Sequence, residues 1–246
     1  MNNLQETLLF PVRDAESRKQ FLIACGLTLA IFVIPILPVL FLMGYSAKIM
    51  RQVVEEKRAP SMPAWQGSDW SEMLMDGLRI YGAQLILTLP LMLLMGCGIL
   101  FMLGGSIGMT ALADDSSSSL ALIGTLAMTA GFVFVMFFAL LSLPYGIVVS
   151  AALPHVAIKR SFQSAFEFDQ WFPIFRKALG QFILGYIVIM VASFVFTFIM
   201  QVAAMTLILI CIVPLLMVPY IVYQVLVMNA VYAQAYATGR DALQTT

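Results

Sequence analysis

Residues 44–82 have the sequence GYSAKIMRQVVEEKRAPSMPAWQGSDWSEMLMDGLRIYG, the one long polar segment between two runs apolar enough to cross a bilayer. A spanning helix needs about 20 predominantly apolar residues, because the hydrocarbon core is about 30 Å thick and each residue rises 1.5 Å. Residues 21–43 before this segment and 81–104 after it both reach that length. The pattern predicts a chain that enters lipid on both sides of a polar surface region.

Composition also favours a membrane protein. Of the 246 residues, 61% are hydrophobic and only 11% are charged, and the mean hydropathy is +0.96. This leaves too little polar surface to cover a soluble globule of that size. The 13 basic and 13 acidic residues cancel, so no overall field favours nucleic acid, and we expect no nucleic-acid partner.

Several long apolar runs suggest a polytopic fold. None of them contains an ionised side chain or the period-two alternation of barrel strands. We therefore predict an all-α transmembrane helix bundle, formed as one membrane domain over residues 1–246, with about five spans. The predicted spans are residues 21–43, 81–104, 120–143, 179–203 and 207–233.

The first apolar run contains Pro35 and Pro38, and each lacks a backbone donor. Two structures fit this pattern. The run can form one kinked span, or it can break near residues 34–39 into a re-entrant hairpin. The alternatives differ in where they place the N-terminus.

The polar segments predict amphipathic helices at the membrane surface. In residues 46–58 apolar side chains fall on one helical face and charged side chains on the other. A second helix is predicted to begin at Asp69, where Glu72 completes a capping-box spacing. The residues predicted to lie at the membrane interface are Lys48, Arg51, Lys57, Arg58, Trp65, Trp70, Lys159, Arg160 and Trp171.

The chain also suggests an internal repeat. A shift of 101 residues places Trp70 on Trp171 and Gly77 on Ala178. The halves would be residues 21–104 and 120–203, followed by a final span at 207–233. Chance similarity is the alternative, because Trp and basic residues collect at interfaces for general reasons.

Charge distribution predicts the orientation. Ten basic residues lie in segments 44–80 and 154–178 and at the C-terminus, whereas the loop with Asp114 and Asp115 has none. The positive-inside tendency places the Trp-bearing segments and the C-terminus in the cytoplasm, with the chain in the inner (plasma) membrane. Arg13, Arg18 and Lys19 would lie outside if the first run crosses once, and inside if it forms a hairpin.

Residues suited to catalysis or metal binding are sparse. His155 is the one histidine, and no Cys, Asp or Glu lies within helical reach of it. Asp69, Glu72 and Asp76 share one helix flank, where a solvated face is favoured over a cation site. Small residues four apart, such as Gly104 and Gly108, predict close helix packing or an oligomer surface. We expect no enzyme activity, no metal and no cofactor.

Short motifs in a fixed order along the chain resemble a known family. They are Pro11 with Asp14, Gly44-Tyr45, Arg51, Pro63-Ala64-Trp65, Asp69-Trp70, Gly77-Leu78 and Ala165-Phe166-Glu167-Phe168. In this order they resemble the prokaryotic integral membrane proteins filed as domain of unknown function 4013. The resemblance implies a membrane protein of several helices and carries no established activity.

Together these patterns favour a non-enzymatic membrane subunit or scaffold. Its predicted partners are anionic lipid headgroups, together with other membrane-protein subunits or further copies of itself. The alternative is a small-solute transporter or channel, whose cavity would be lined by polar residues within the spans such as Gln84 and Asn229.

Overall fold

The computed structural model describes residues 4–65, 67–111, 118–205 and 213–245, and every regular element in these ranges is helical. The α-helices are α1 (Leu4–Leu9), α2 (Ala15–Leu29), α3 (Ile36–Val54), α4 (Trp70–Ala111), α5 (Ser118–Lys159), α6 (Phe168–Lys177), α7 (Leu179–Ala204) and α8 (Val213–Gln244). Short 3-10 helices occupy Ala30–Phe32, Gly67–Asp69 and Phe162–Phe166. The predicted all-α class is confirmed.

Four of the described helices are long and apolar enough to cross a membrane, one fewer than the five predicted spans. They are Trp70–Met109, Ala121–Lys159, Leu179–Ala204 and Leu215–Gln244. At 26 to 40 residues they measure about 39 to 60 Å, more than the hydrocarbon core requires. The chain is therefore suited to multiple passes. The predicted outer loop with Asp114 and Asp115, and the start of the predicted span 207–233, lie outside the described residues.

The first apolar run accounts for the difference in span number, because it does not form one helix. Helix α2 ends at Leu29 and α3 begins only at Ile36, with Pro35 as its N-terminal flanking residue. Pro38 falls in the first turn of α3, where a backbone N–H has no helical partner to lose. The two prolines therefore start a new helix after the break.

The chain reverses direction at this break. If residues 20–45 formed a straight helix, Gln20 and Tyr45 would lie about 38 Å apart. Instead Trp65 contacts both: its indole Nε1 donates to the Gln20 carbonyl at 3.2 Å, and its ring stacks on Tyr45 with centroids 4.3 Å apart. Helices α2 and α3 thus have the hairpin geometry of the re-entrant alternative. Phe32 and Val33 at its tip are 65% and 83% exposed.

The structure divides into two compact units, and the larger comprises Met1–Gln84 and Ser150–Thr246. Helix α8 lies at its centre and packs against α1, α2, α3, α6 and α7. Its residues Val222, Leu226, Ala230 and Ala233 are fully buried at three- and four-residue spacing, which defines one helical face. This helix forms the core of the larger unit.

The smaller unit, Leu85–Val149, holds the remainder of α4 and most of α5. Within it the two helices touch through glycines spaced seven apart. A Cβ on Gly105 would lie 2.6 Å from the Met128 nitrogen, and one on Gly131 would lie 2.8 Å from the Gly98 carbonyl. Gly124 meets the Gly105 carbonyl in the same way. These glycines let the two backbones pack directly against each other.

The predicted pair Gly104 and Gly108 does not take part in this contact, because a Cβ on either would meet nothing within 4 Å. A helix turns 100° per residue, so the neighbouring Gly105 faces α5 while Gly104 faces away. Gly104 and Gly108 therefore do not pack against α5, and the oligomer surface predicted as their alternative role stays a prediction.

Helices α3 and α4 make an equally close approach in the larger unit. A Cβ on Gly44 would overlap the carbonyl of Met73, and one on Gly77 would overlap the carbonyl of Leu40. Only hydrogen fits at either position. The Gly-Tyr and Gly-Leu motifs of the sequence are thus the two halves of one helix crossing.

We expect Gly44→Ala and Gly77→Ala each to lower the stability of the detergent-purified protein. The new methyl group meets a backbone carbonyl that cannot rotate away, and such overpacking costs about 1–3 kcal/mol. Gly180→Ala in α7 is the control, because its Cβ meets nothing within 4 Å and alanine favours a helix. Thermal unfolding monitored by size-exclusion chromatography measures both. Equal midpoints for all three variants would contradict the close crossing.

Candidate functional site

The segment between α3 and α4 is held against α3 by aromatic contacts. The Tyr45 and Trp65 rings are parallel within 2°, and the Tyr45 hydroxyl donates to the Pro63 carbonyl at 2.6 Å. Burial raises the pKa of the Tyr45 hydroxyl, so it keeps its proton and remains a donor. Trp70 extends the cluster by packing edge-on against Phe41. The polar segment is therefore ordered by its own rings.

A buried ion pair lies next to this crossing. Arg51 Nη1 and Asp76 Oδ2 are 2.6 Å apart, and the two residues are only 8% and 2% exposed. Arg79 binds the other oxygen of Asp76 at 3.0 Å. Arg51 also donates to the Ala157 carbonyl at 3.3 Å. The Arg51 guanidinium thus connects α3 with α4 and with the end of α5.

Two more carboxylates form ion pairs with basic side chains, one at the end of the 3-10 helix before α4 and one in the first turn of α4. Asp69 accepts from Lys48 at 2.6 Å, and this hydrogen bond lowers the pKa of Asp69. Glu72 lies 2.8 Å from Arg160 and 3.9 Å from Arg51. The predicted solvated face is therefore wrong for Asp76 because this flank packs against α3. The nearby basic side chains also neutralise these carboxylates, and a metal cation would need their negative charge.

His155 belongs to a second polar cluster. It is 4% exposed, its Nδ1 lies 2.7 Å from the Tyr236 hydroxyl, and its Nε2 lies 3.4 Å from Glu167. A hydrogen bond from Lys159 at 2.7 Å lowers the pKa of Glu167, which keeps this carboxylate ionised. Helical spacing in the sequence did not reveal this cluster, because Glu167 contacts His155 only after the chain turns beyond α5.

The residues predicted at the membrane interface fall into two groups. Lys57, Arg58, Lys159 and Arg160 have side chains that are 63%, 73%, 38% and 52% exposed. Trp70 is also exposed. The others point inward or pack against the protein, and they are Lys48, Arg51, Trp65 and Trp171.

The inward group has structural contacts. Trp171 is 1% exposed and donates from its indole to the Ala165 carbonyl at 3.1 Å. Arg51 holds Asp76 as described. Of the residues predicted at the interface, the exposed group is therefore the one with side chains accessible from outside the protein.

Both basic pairs lie at or just after a helix end, and each contains a left-handed residue. The φ angles are 52° at Lys57 and 49° at Arg160. Side chains other than glycine and asparagine rarely adopt this conformation, which costs about 1–2 kcal/mol. The conformation turns the chain away after each helix.

A polar cavity of about 460 Å³ lies in the larger unit. Its wall includes two cations, two carboxylates and two amides, namely Lys57, Arg58, Glu6, Asp241, Gln181 and Gln234. The carboxylates come from opposite ends of the chain and meet because α1 packs on α8. No motif in the sequence brings them together, so sequence reasoning could not find this site.

The structure also bears on two other features considered from the sequence, metal binding and a polar pore. Among the residues that the structure describes, no group of three or more His, Cys, Asp or Glu could hold a metal ion. Asn229, which would line the cavity of the alternative transporter or channel, is 1% exposed, and its Nδ2 donates to the Val225 carbonyl at 2.9 Å within α8.

Comparison with known proteins identifies a family without an assigned activity. A family model described as "Protein of unknown function (DUF4013)" matches residues 27–209. No curated protein and no solved structure matches the chain. The matched region contains the crossing of α3 and α4, the Arg51–Asp76 pair and Glu167.

We expect Arg51→Met and Asp76→Leu to destabilise the protein by about 3–5 kcal/mol each, because each leaves a charge without its main buried partner. The double variant should be more stable than either single variant, since apolar side chains of similar size pack without an isolated charge. Chemical denaturation in detergent measures the three values. Additive losses in the double variant would argue against a coupled pair. Lys57→Ala is the control, because its exposed pair with Asp241 contributes about 1 kcal/mol or less.

Proposed function

We propose that this chain, which belongs to the DUF4013 family of proteins of unknown function, is a non-enzymatic subunit or scaffold of the inner membrane. In this proposal it binds anionic headgroups through exposed basic side chains and associates with other membrane proteins or with further copies of itself. In the part of the chain that the structure describes, four helices are long and apolar enough to cross a membrane.

The observation that carries the proposal is the position of Lys57, Arg58, Lys159 and Arg160. Lys57 and Arg58 follow the end of α3, Lys159 is the last residue of α5, and Arg160 comes directly after it. Each basic group near an anionic membrane surface contributes about 1 kcal/mol to binding. Two pairs at separate helix ends favour contact with several headgroups at once.

The number of spans supports one orientation. With four crossings and a hairpin that returns to its own side, the N-terminus and C-terminus share a face. All 13 basic residues then lie in the cytoplasm, including Arg13, Arg18 and Lys19, as the positive-inside tendency favours. A fifth crossing would leave these three outside.

Exposed apolar surface supports the association with lipid and other subunits. On α7, Phe194 and Phe198 are 73% and 63% exposed, and on α5 Leu140 is 68% exposed. Exposure of such large apolar side chains to water is unfavourable, whereas acyl chains or a neighbouring helix would bury them.

The proposed internal repeat has some local support. In each half a helix leads to a basic pair with one left-handed residue, then to a short 3-10 helix and a Trp-bearing helix. The halves would be residues 21–104 and 120–203.

We expect neutralisation of Arg58, Lys159 and Arg160 to Gln to weaken retention of phosphatidylglycerol, because three groups of about 1 kcal/mol correspond to roughly a hundredfold change in affinity. Competition between labelled lipids in nanodiscs measures it. Lys48→Gln is the matched control, since that side chain points inward to Asp69 and should leave retention unchanged. Equal retention by the triple variant and the wild type would end this part of the proposal.

Orientation is tested with single cysteines in a variant whose Cys25, Cys97 and Cys211 are replaced by Ala. A membrane-impermeant maleimide applied to intact cells should label Ser116→Cys. It should label Asn2→Cys and Thr246→Cys only after permeabilisation. Labelling of Asn2→Cys in intact cells would show that the first apolar run crosses the membrane.

A further inference from the structure

The polar cavity has a balanced charge. Lys57 and Arg58 supply two positive charges from one loop, and Glu6 and Asp241 supply two negative charges from α1 and α8. A net anion would meet two carboxylates there, and a net cation would meet two basic groups. Electrostatic complementarity therefore favours a ligand that carries both signs and no net charge.

The charged side chains of the wall take part in ion pairs, and Glu6 pairs with Arg13 at 2.5 Å. Lys57 and Asp241 pair at 3.1 Å, with side chains 63% and 46% exposed, and Arg58 pairs with Glu56 at 3.2 Å, also at the surface. Exposed pairs of this kind contribute little free energy, so a ligand can replace them at small cost. The volume of about 460 Å³ lies within the range of small-molecule sites.

The backbone at Lys57 is the second observation. Its left-handed φ of 52° is unfavourable for lysine, and it occurs in the wall of the cavity. Strained backbone of this kind is found preferentially at ligand sites, where surrounding contacts hold it in place. Here it turns the chain after α3 at the point where Lys57 and Arg58 line the cavity.

We propose that this cavity binds a phosphoethanolamine group. Arg58 and Lys57 hold the phosphate oxygens, because guanidinium and ammonium groups make short charge-assisted hydrogen bonds to phosphate. Glu6 and Asp241 accept hydrogen bonds from the primary ammonium. This site goes beyond the proposed headgroup contacts, since those concern anionic lipids and include Lys159 and Arg160 outside the cavity.

The lining distinguishes between zwitterionic headgroups. A primary ammonium offers three N–H donors, which suit two carboxylates and the amide oxygens of Gln181 or Gln234. A quaternary ammonium has no N–H donor and is bound in proteins by aromatic faces. The described lining contains no aromatic ring, so phosphocholine should bind more weakly.

The same chemistry has two sources, a phosphatidylethanolamine lipid and the soluble diester glycerophosphoethanolamine, and both are zwitterions without net charge. The full chain in nanodiscs is titrated with labelled phosphatidylethanolamine, phosphatidylcholine and phosphatidylglycerol, and in detergent with glycerophosphoethanolamine and glycerophosphocholine. We expect at least tenfold preference for the ethanolamine ligand over its choline counterpart. Lipid binding without binding of the soluble molecule identifies a headgroup site, and the reverse identifies a soluble ligand. Absence of both overturns the proposal.

The double variant Glu6→Gln with Asp241→Asn gives the sharpest test. It should lose at least tenfold in ethanolamine affinity and gain affinity for phosphatidylglycerol, because the wall becomes positive. Arg13→Gln is the matched control: it breaks the same Glu6–Arg13 pair but leaves the cavity charges intact. Unchanged ethanolamine binding in the double variant overturns the site. Loss in Arg13→Gln as well would assign the effect to docking of α1 and also overturn it. Phosphatidylglycerol retention by Lys159 and Arg160 variants separately tests the proposed function.

Discussion

The backbone contact between α3 and α4 is the constraint on which the larger unit depends. Gly44 and Gly77 remove the two side chains that would separate the helices. Once the backbones touch, Lys48 lies opposite Asp69 and Arg51 lies opposite Asp76. Burying an arginine and a carboxylate is favourable only when their geometry is fixed, because desolvation of each charge opposes it. The glycines supply that geometry.

Much of the architecture follows from apolar run length and proline position. Long uncharged runs predicted helices in lipid, and Pro35 with Pro38 marked the break that the structure has. Periodicity predicted a separate amphipathic helix over residues 46–58, whereas the structure includes residues 46–54 in α3, where Arg51 of the charged face is buried. Periodicity could not show that the charged face of α3 packs against the charged flank of α4. Amphipathicity describes a single helix, whereas the Arg51–Asp76 ion pair forms between two helices. The same limitation affected the glycines of α4.

The candidate site was less accessible to sequence reasoning than the fold. Lys57 and Arg58 stood out as a basic pair, but Glu6 and Asp241 are separated by almost the whole chain. They meet because Gln234 of α8 donates to Thr7 of α1 at 2.7 Å and Tyr223 donates to the Leu8 carbonyl at 2.8 Å. The family match at residues 27–209 includes the basic pair and omits both carboxylates. The cavity is thus formed partly by the region that the family model matches and partly by helices α1 and α8, which lie outside that region.

The short hairpin of α2 and α3 has a mechanical consequence. With 15 residues, α2 is about 22 Å long, which is less than the thickness of the hydrocarbon core. In the proposed topology its apolar tip, with Phe32 and Val33, ends among the acyl chains of the bilayer. Such a wedge occupies more area in the cytoplasmic leaflet than in the opposite one. The resulting area difference favours curvature and would draw the protein to bent regions of the membrane.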